Sequence, residues 1–195
     1  MGRRLSDFHG DCLIVEGAFA LHWKSLPGEP QQIQFARNNA SNETILRSVA
    51  AIEEYRGTTV QDDQTGVEAD IARLDNKLNV LLGMVSELIK QQRDIPEAVP
   101  VLLSVQAIEW WSENTPTLDE FIQLELYVNP SYPSPLLLTG KVEMVENLEE
   151  GIFHVVVNFV GINEAVIDQF ERFIFRHHRR GVALSRRHHK QQTTN

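Results

Sequence analysis

The sequence predicts an α+β chain in which six strands share one sheet or barrel, two helices are inserted after the second strand, and a further helix closes the chain. Three observations carry this reading. Apolar residues alternate with polar ones near the N-terminus and again beyond Pro100. They fall at helical spacing between Asn39 and about Asp94. Helical spacing returns after Asn163.

Leu13, Val15, Phe19, Leu21 and Trp23 alternate with Glu16, His22 and Lys24, the period-two pattern of a strand with one buried face. Pro27-Gly28-Glu29-Pro30 reads as a turn, and Ile33 and Phe35 around Gln34 suggest a short returning strand, so the chain is expected to open on a hairpin. Ile45, Leu46, Val49, Ile52 and Tyr55 then share one helical face, with Asn39 or Ser41 available as the N-cap and Gly57 at the end. Beyond Pro100 the period returns to two. Ile122, Leu124, Leu126 and Val128 alternate with polar residues. So do Val142 and Met144, then Phe153, Val155, Val157 and Phe159, across the 147–151 connection. Four strands are expected between Val101 and Phe159. Asn163 is placed to cap a final helix with Val166, Phe170, Phe173 and Ile174 on one face, ending near Gly181. A two-stranded hairpin is marginal by itself, so the opening hairpin is expected to join the later four strands.

The second inserted helix has a distinct pattern. Val67, Ile71, Leu74, Leu78, Leu81, Val85 and Leu88 follow alternating steps of four and three, an unbroken heptad register. A strict 3.5-residue repeat keeps one seam facing a partner helix, whereas a helix covering its own domain drifts at 3.6. Leu82 and Ile89 widen the face on one side and Met84 on the other, which suits four helices better than two. Thr65-Gly66-Val67-Glu68 fits a capping box, and Ile95-Pro96 disfavours helix beyond about Asp94, giving a rod on the order of 40 Å. These nine positions, Val67, Ile71, Leu74, Leu78, Leu81, Leu82, Val85, Leu88 and Ile89, are the expected oligomer interface.

Apolar residues make up 42% of the 195, enough for a substantial core, and no apolar run is long enough to cross a bilayer. With no signal-type apolar stretch at the N-terminus, a cytoplasmic location is expected. Cys12, in the run Cys-Leu-Ile-Val, reads as a buried structural thiol. The net charge of −9 is uneven: Arg172, Arg176, Arg179, Arg180, Arg186, Arg187 and Lys190 give +7 after residue 171, leaving −16 before it. Arg172 and Arg176 are expected to anchor the last helix to the acidic body or to a neighbouring chain. Adjacent His177-His178 and His188-His189 point about 100° apart on a helix, so they read as a solvated basic face rather than metal ligands. Of Trp110 and Trp111, one is expected in the core and the other at the barrel mouth or a subunit contact. No phosphate loop, metal-spaced set or nucleophile elbow is present, so neither an enzyme nor a metal site is expected.

Leu136-Leu137-Leu138-Thr139-Gly140-Lys141-Val142, then Val157-Asn158-Phe159-Val160-Gly161-Ile162, then Phe170-Glu171-Arg172-Phe173-Ile174-Phe175-Arg176 resemble the closing half of PilZ domains. Leu103-Ser104-Val105-Gln106-Ala107-Ile108 aligns with the strand carrying that family's ligand motif, so the resemblance covers roughly residues 100–180. Together with the heptads, the match is to the atypical, tetrameric PilZ subfamily of bacterial cyclic di-GMP signalling. The resemblance implies a discontinuous PilZ-like barrel over 11–37 and 100–181 and an inserted helical oligomerisation segment over 39–95, its second helix forming an intermolecular coiled coil. Residues 182–195 are expected as a basic flexible tail.

Residue by residue, the motif is degenerate. The family's ligand strand reads Asp or Asn, any, Ser, any, any, Gly; here those places hold Leu102, Ser104 and Ala107. The family's arginine pair, four apart, lies ahead of the first strand; Arg3 and Arg4 sit roughly there, but the residues four later are Asp7 and Phe8, and the literal spacing occurs only in Arg172 with Arg176 and Arg176 with Arg180 on the last helix. Arg3, Arg4 and Ser104 are therefore the candidate nucleotide-binding residues. The expected function is regulation by protein–protein interaction with an unknown signalling partner, as a homotetramer that requires no cofactor and binds cyclic di-GMP weakly or not at all. The alternatives are a cyclic di-GMP receptor with a rebuilt site drawing on Arg3, Arg4, Ser104 or the C-terminal arginines, and a nucleic-acid binder acting through the basic C-terminus, the latter disfavoured by the acidic body.

Overall fold

The computed structural model describes residues 12–57, 67–92, 95–149 and 151–192. Arg3, Arg4 and the Thr65-Gly66 start of the expected capping box lie outside the described residues. The chain runs β1 (Val15–Ser25), α1 (Gln32–Gly57), α2 (Val67–Gln92), β2 (Ala98–Leu103), β3 (Ala107–Ser112), β4 (Phe121–Tyr127), β5 (Leu136–Glu149), β6 (Ile152–Val160) and α3 (Glu164–Gln192). The six strands close into an antiparallel barrel in the order β1-β2-β3-β6-β5-β4. β1 closes it by serving two neighbours in succession: residues 15–20 pair with β2 and residues 20–25 with β4.

The alternation in β4 behaves as written, with Ile122, Leu124 and Leu126 fully buried inside the barrel. In β5 it does not, because a register shift separates Val142 from Met144. One extra residue turns the strand over. Val142 faces the main core, whereas Met144 packs outside with Ala107 and Val156.

Three other expectations are corrected. Ile33 and Phe35 do not form a returning strand but sit in the first turns of α1, where Gln34 and Phe35 donate their N–H groups to Gln31 O. Two apolar residues around one polar residue are too few to separate period two from a helical turn. Between Val101 and Phe159 there are five strands, not four, since a tight turn at Ser104–Gln106 divides one apolar run into β2 and β3. Finally, α3 does not end near Gly181 but continues to Gln192.

Val166, Phe170, Phe173 and Ile174 of α3 and Ile45, Leu46 and Val49 of α1 are buried in the same core as the barrel interior. Asn42 of α1 completes the sheet. The β5–β6 ladder begins only at Thr139, which leaves the backbone of Leu137 unpaired on that side. The Asn42 amide fills both needs, donating to Leu137 O at 2.9 Å and accepting from Leu137 N at 2.7 Å. By contrast, Ile71, Leu74, Leu78, Leu81, Val85 and Leu88 of α2 are each more than half exposed.

Candidate functional site

Two side chains of α1 fix the approach of α3 to the barrel. After β6 the chain reverses at Gly161, where φ is 70° and a Cβ would lie 2.2 Å from the Phe35 ring, so only glycine fits. Asn39 spans the turn, donating to Gly161 O at 2.8 Å and accepting from Asn163 N at 3.3 Å. Asn163 then caps α3, its Oδ1 accepting from Val166 N at 2.9 Å. The first half of α3 is thereby set beside the β2–β3 turn.

Between them lies a cavity of about 710 Å³. Val105, Phe159, Ile162, Ile167, Ile174 and Phe175 supply apolar walls, and Gln106, Glu171 and Arg172 supply polar groups. Cys12 lies at this cavity and is half-buried rather than buried as expected, with Sγ 3.6 Å from Gln106 Oε1. Mostly apolar walls with a few polar groups suit the flat body of a small ligand.

Ser104, the surviving member of the ligand motif, is beside this cavity but is fully buried and spent on the turn. Its Oγ accepts from Ala107 N at 3.0 Å and Gln106 N at 3.2 Å and lies 3.3 Å from Ala107 O. A hydroxyl so engaged holds the β2–β3 turn in shape. Leu102 adds no polar group, and Ala107 is buried. Gln106, which the motif comparison did not single out, and Arg172, one of the C-terminal arginines, supply polar groups at the cavity.

The arginines of α3 divide their work. Arg172 bonds Asp168 within its own helix at 3.0 Å. Arg176 Nε, His177 Nε2 and Arg180 Nη1 converge on Glu53 of α1 at 3.1, 2.9 and 3.0 Å. Burial pushes the Glu53 carboxyl up, but the hydrogen bond and charge of His177, then Arg176 and Arg180, outweigh it and hold the value at about 2. Of the two expected anchors of the last helix, Arg176 makes the contact and Arg172 does not, Arg180 taking its place, and the solvated reading of His177 is corrected. His178 is also half-buried, with Nδ1 3.2 Å from Ile14 O. The side chains of His188 and His189 lie outside the described residues.

Trp110 is in the core, as one of the two tryptophans was expected to be. Trp111 lies on the outer face, stacked on His154 at 5.4 Å between ring centres. There His154 Nε2 lies 2.7 Å from Oε1 of the buried Glu109. No group of three metal-ligating side chains occurs among the described residues, and none of their helices is long and apolar enough to cross a membrane.

A family model described as atypical PilZ domain, cyclic di-GMP receptor, matches residues 46–187. Among solved structures, the fold is similar to a pathogenic protein from Xanthomonas campestris, described as a tetrameric PilZ domain self-assembled via a helical bundle. The two share 21% identity with a TM-score of 0.73, over 91% of this chain and 94% of that one. A search of curated proteins gives no match.

Proposed function

The chain belongs to the atypical PilZ domain family, and from that premise we propose that it is a cytoplasmic regulatory protein of cyclic di-GMP signalling. It self-assembles through α2 and acts by binding partner proteins rather than by catalysis. The observation that carries this is the exposed heptad seam of α2. Six half-exposed aliphatic side chains gain about 1 kcal/mol each when covered, about 6 kcal/mol per chain. The face is wider than a two-stranded seam uses, so the assembly is a parallel homotetramer. The Xanthomonas campestris structure, a tetramer self-assembled via a helical bundle, supports assembly of four chains through helices. Light scattering of the wild type should give about four times the 22.2 kDa chain mass. The double variant Leu78→Asp, Leu81→Asp should run as a monomer. A wild type that is already monomeric refutes the reading.

Cyclic di-GMP binds weakly or not at all at the usual motif, because Leu102 and Ala107 offer no guanine contact and the Ser104 hydroxyl is committed to its turn. A second reading, a receptor with a rebuilt site, is favoured by the cavity beside Gln106 and Arg172 and by the family's description. Calorimetry on the intact oligomer separates the two. A dissociation constant at or below about 1 μM, about −8 kcal/mol, selects the receptor. Loss of that binding in Arg172→Ala would place it in the cavity.

A further inference from the structure

The barrel closes along only part of β1. Leu26 N donates to Phe121 O, which fixes the parity of the seam: even-numbered residues of β1 turn their N–H and C=O groups toward β4 and odd-numbered ones toward β2. The β2 side agrees. Pro100, which has no N–H, stands opposite Ala18 and not opposite a residue that needs its donor. Continued upward, the register would set Ala18 against Asn129 and Glu16 against Ser131. The ladder instead stops at Ala20 and Tyr127, and the chain peels away through Asn129-Pro130. There Asn129 Oδ1 accepts from Ser131 N at 2.8 Å and Asn129 O from Tyr132 N at 3.0 Å. Among the described residues, nothing pairs with the outward backbone groups of Glu16 and Ala18.

This edge opens into a groove of about 690 Å³. Ala18, Phe19, Ile95, Tyr127, Pro130 and Pro133 line it, together with His177, whose Nε2 is paired with Glu53. A run of alternating backbone donors and acceptors is matched only by another extended main chain, and the apolar walls receive its side chains. The charge of the occupant follows from the rim. Glu16 and Glu97 are exposed beside the groove, no lysine or arginine lines it, and the body to residue 171 carries −16.

We propose that the open β1 edge at Glu16–Ala18 is a docking site for an extended segment of a partner protein, about four residues long, with alternate apolar side chains and a flanking lysine or arginine. This deepens the partner-binding reading above. Its test does not pass through α2, so it fails or succeeds separately from self-assembly.

Amide hydrogen exchange on the intact protein comes first. Ala18 should exchange at least tenfold faster than Gly17 and Phe19, whose N–H groups belong to the β2 ladder. Protection of Ala18 in the free protein means that the chain or a second copy already covers the edge and overturns the proposal. The probe is a phage-displayed library of random 12-residue peptides panned on the intact protein. Enriched peptides should carry alternating apolar residues beside a basic one, bind with a dissociation constant on the order of 10–100 μM, and slow exchange at Ala18 at least tenfold. Ala18→Pro removes the outward N–H and leaves the odd-residue ladder in place, so it should weaken binding at least tenfold at an unchanged melting temperature. If that variant does not fold, Glu16→Lys provides the check, with loss of binding expected through charge reversal alone. Failure to enrich any peptide, binding that leaves Ala18 exchange unchanged, or a change of oligomer mass in Ala18→Pro each overturns the proposal.

Discussion

Glu53→Gln removes one negative charge from the junction of α1 and α3 while keeping its shape. In the wild type the carboxyl is almost completely buried and receives Arg176, His177 and Arg180. Lowering its value from 4.5 to about 2 corresponds to about 3 kcal/mol of folding free energy. Arg180 is about half exposed, and solvent screening of that partner reduces the expected loss to about 2 kcal/mol. For a chain of this size that lowers the melting temperature by about 4–8 °C. Because the folded value lies below the unfolded one, the stabilisation is fully present above pH 4.5 and is lost as the pH falls toward 2. Circular dichroism melts of both proteins at one fixed concentration, from pH 7 down to pH 3, should show a constant gap above pH 5 that roughly halves by pH 3. Equal melting temperatures at pH 7, or a gap that widens on acidification, would refute the reasoning.

Asn42→Ala strips both hydrogen bonds from the Leu137 backbone and should cost about 1–3 kcal/mol, read as a lower denaturant midpoint in urea. Deleting residues 184–195 leaves the Glu53 contacts and every α3 residue packed in the core intact; the melting temperature should move by no more than a few degrees. Light scattering of the truncated chain should show an unchanged oligomer mass.

Long, strongly periodic segments were legible without coordinates. The heptads of α2, the alternation of β4 and the Asn163-capped apolar face of α3 each repeat one local rule often enough to override exceptions. What stayed hidden depends on residues far apart in the chain. Ser104 reads as a remnant of a binding motif, and nothing in the sequence marks the turn bonds its hydroxyl accepts from Gln106 and Ala107. The β5 bulge leaves no mark in the pattern, since Val142 and Met144 look like ordinary alternation. A signal did exist for α1. Asn38, Asn39 and Asn42 are poor helix formers crowded into two turns, and Glu53 sits one turn after Val49 on the apolar stripe. Polar residues in those places point to specific long-range partners, though not to which ones.

Among the described residues, β1 alone meets both β2 and β4, and in sequence it is separated from them by both inserted helices. Strands β2 to β6 follow one another and can line up as an open sheet once Val160 has left the ribosome. Until β1 arrives, that sheet presents two unsatisfied borders to the cell. Bringing β1 home closes a long loop, at an entropic cost that grows only with the logarithm of its length, but the search is slow compared with local pairing. A five-stranded sheet without β1 would be the aggregation-prone form of this topology. Mutations that weaken β1 docking would reduce yield through aggregation before they reduce the stability of the finished barrel.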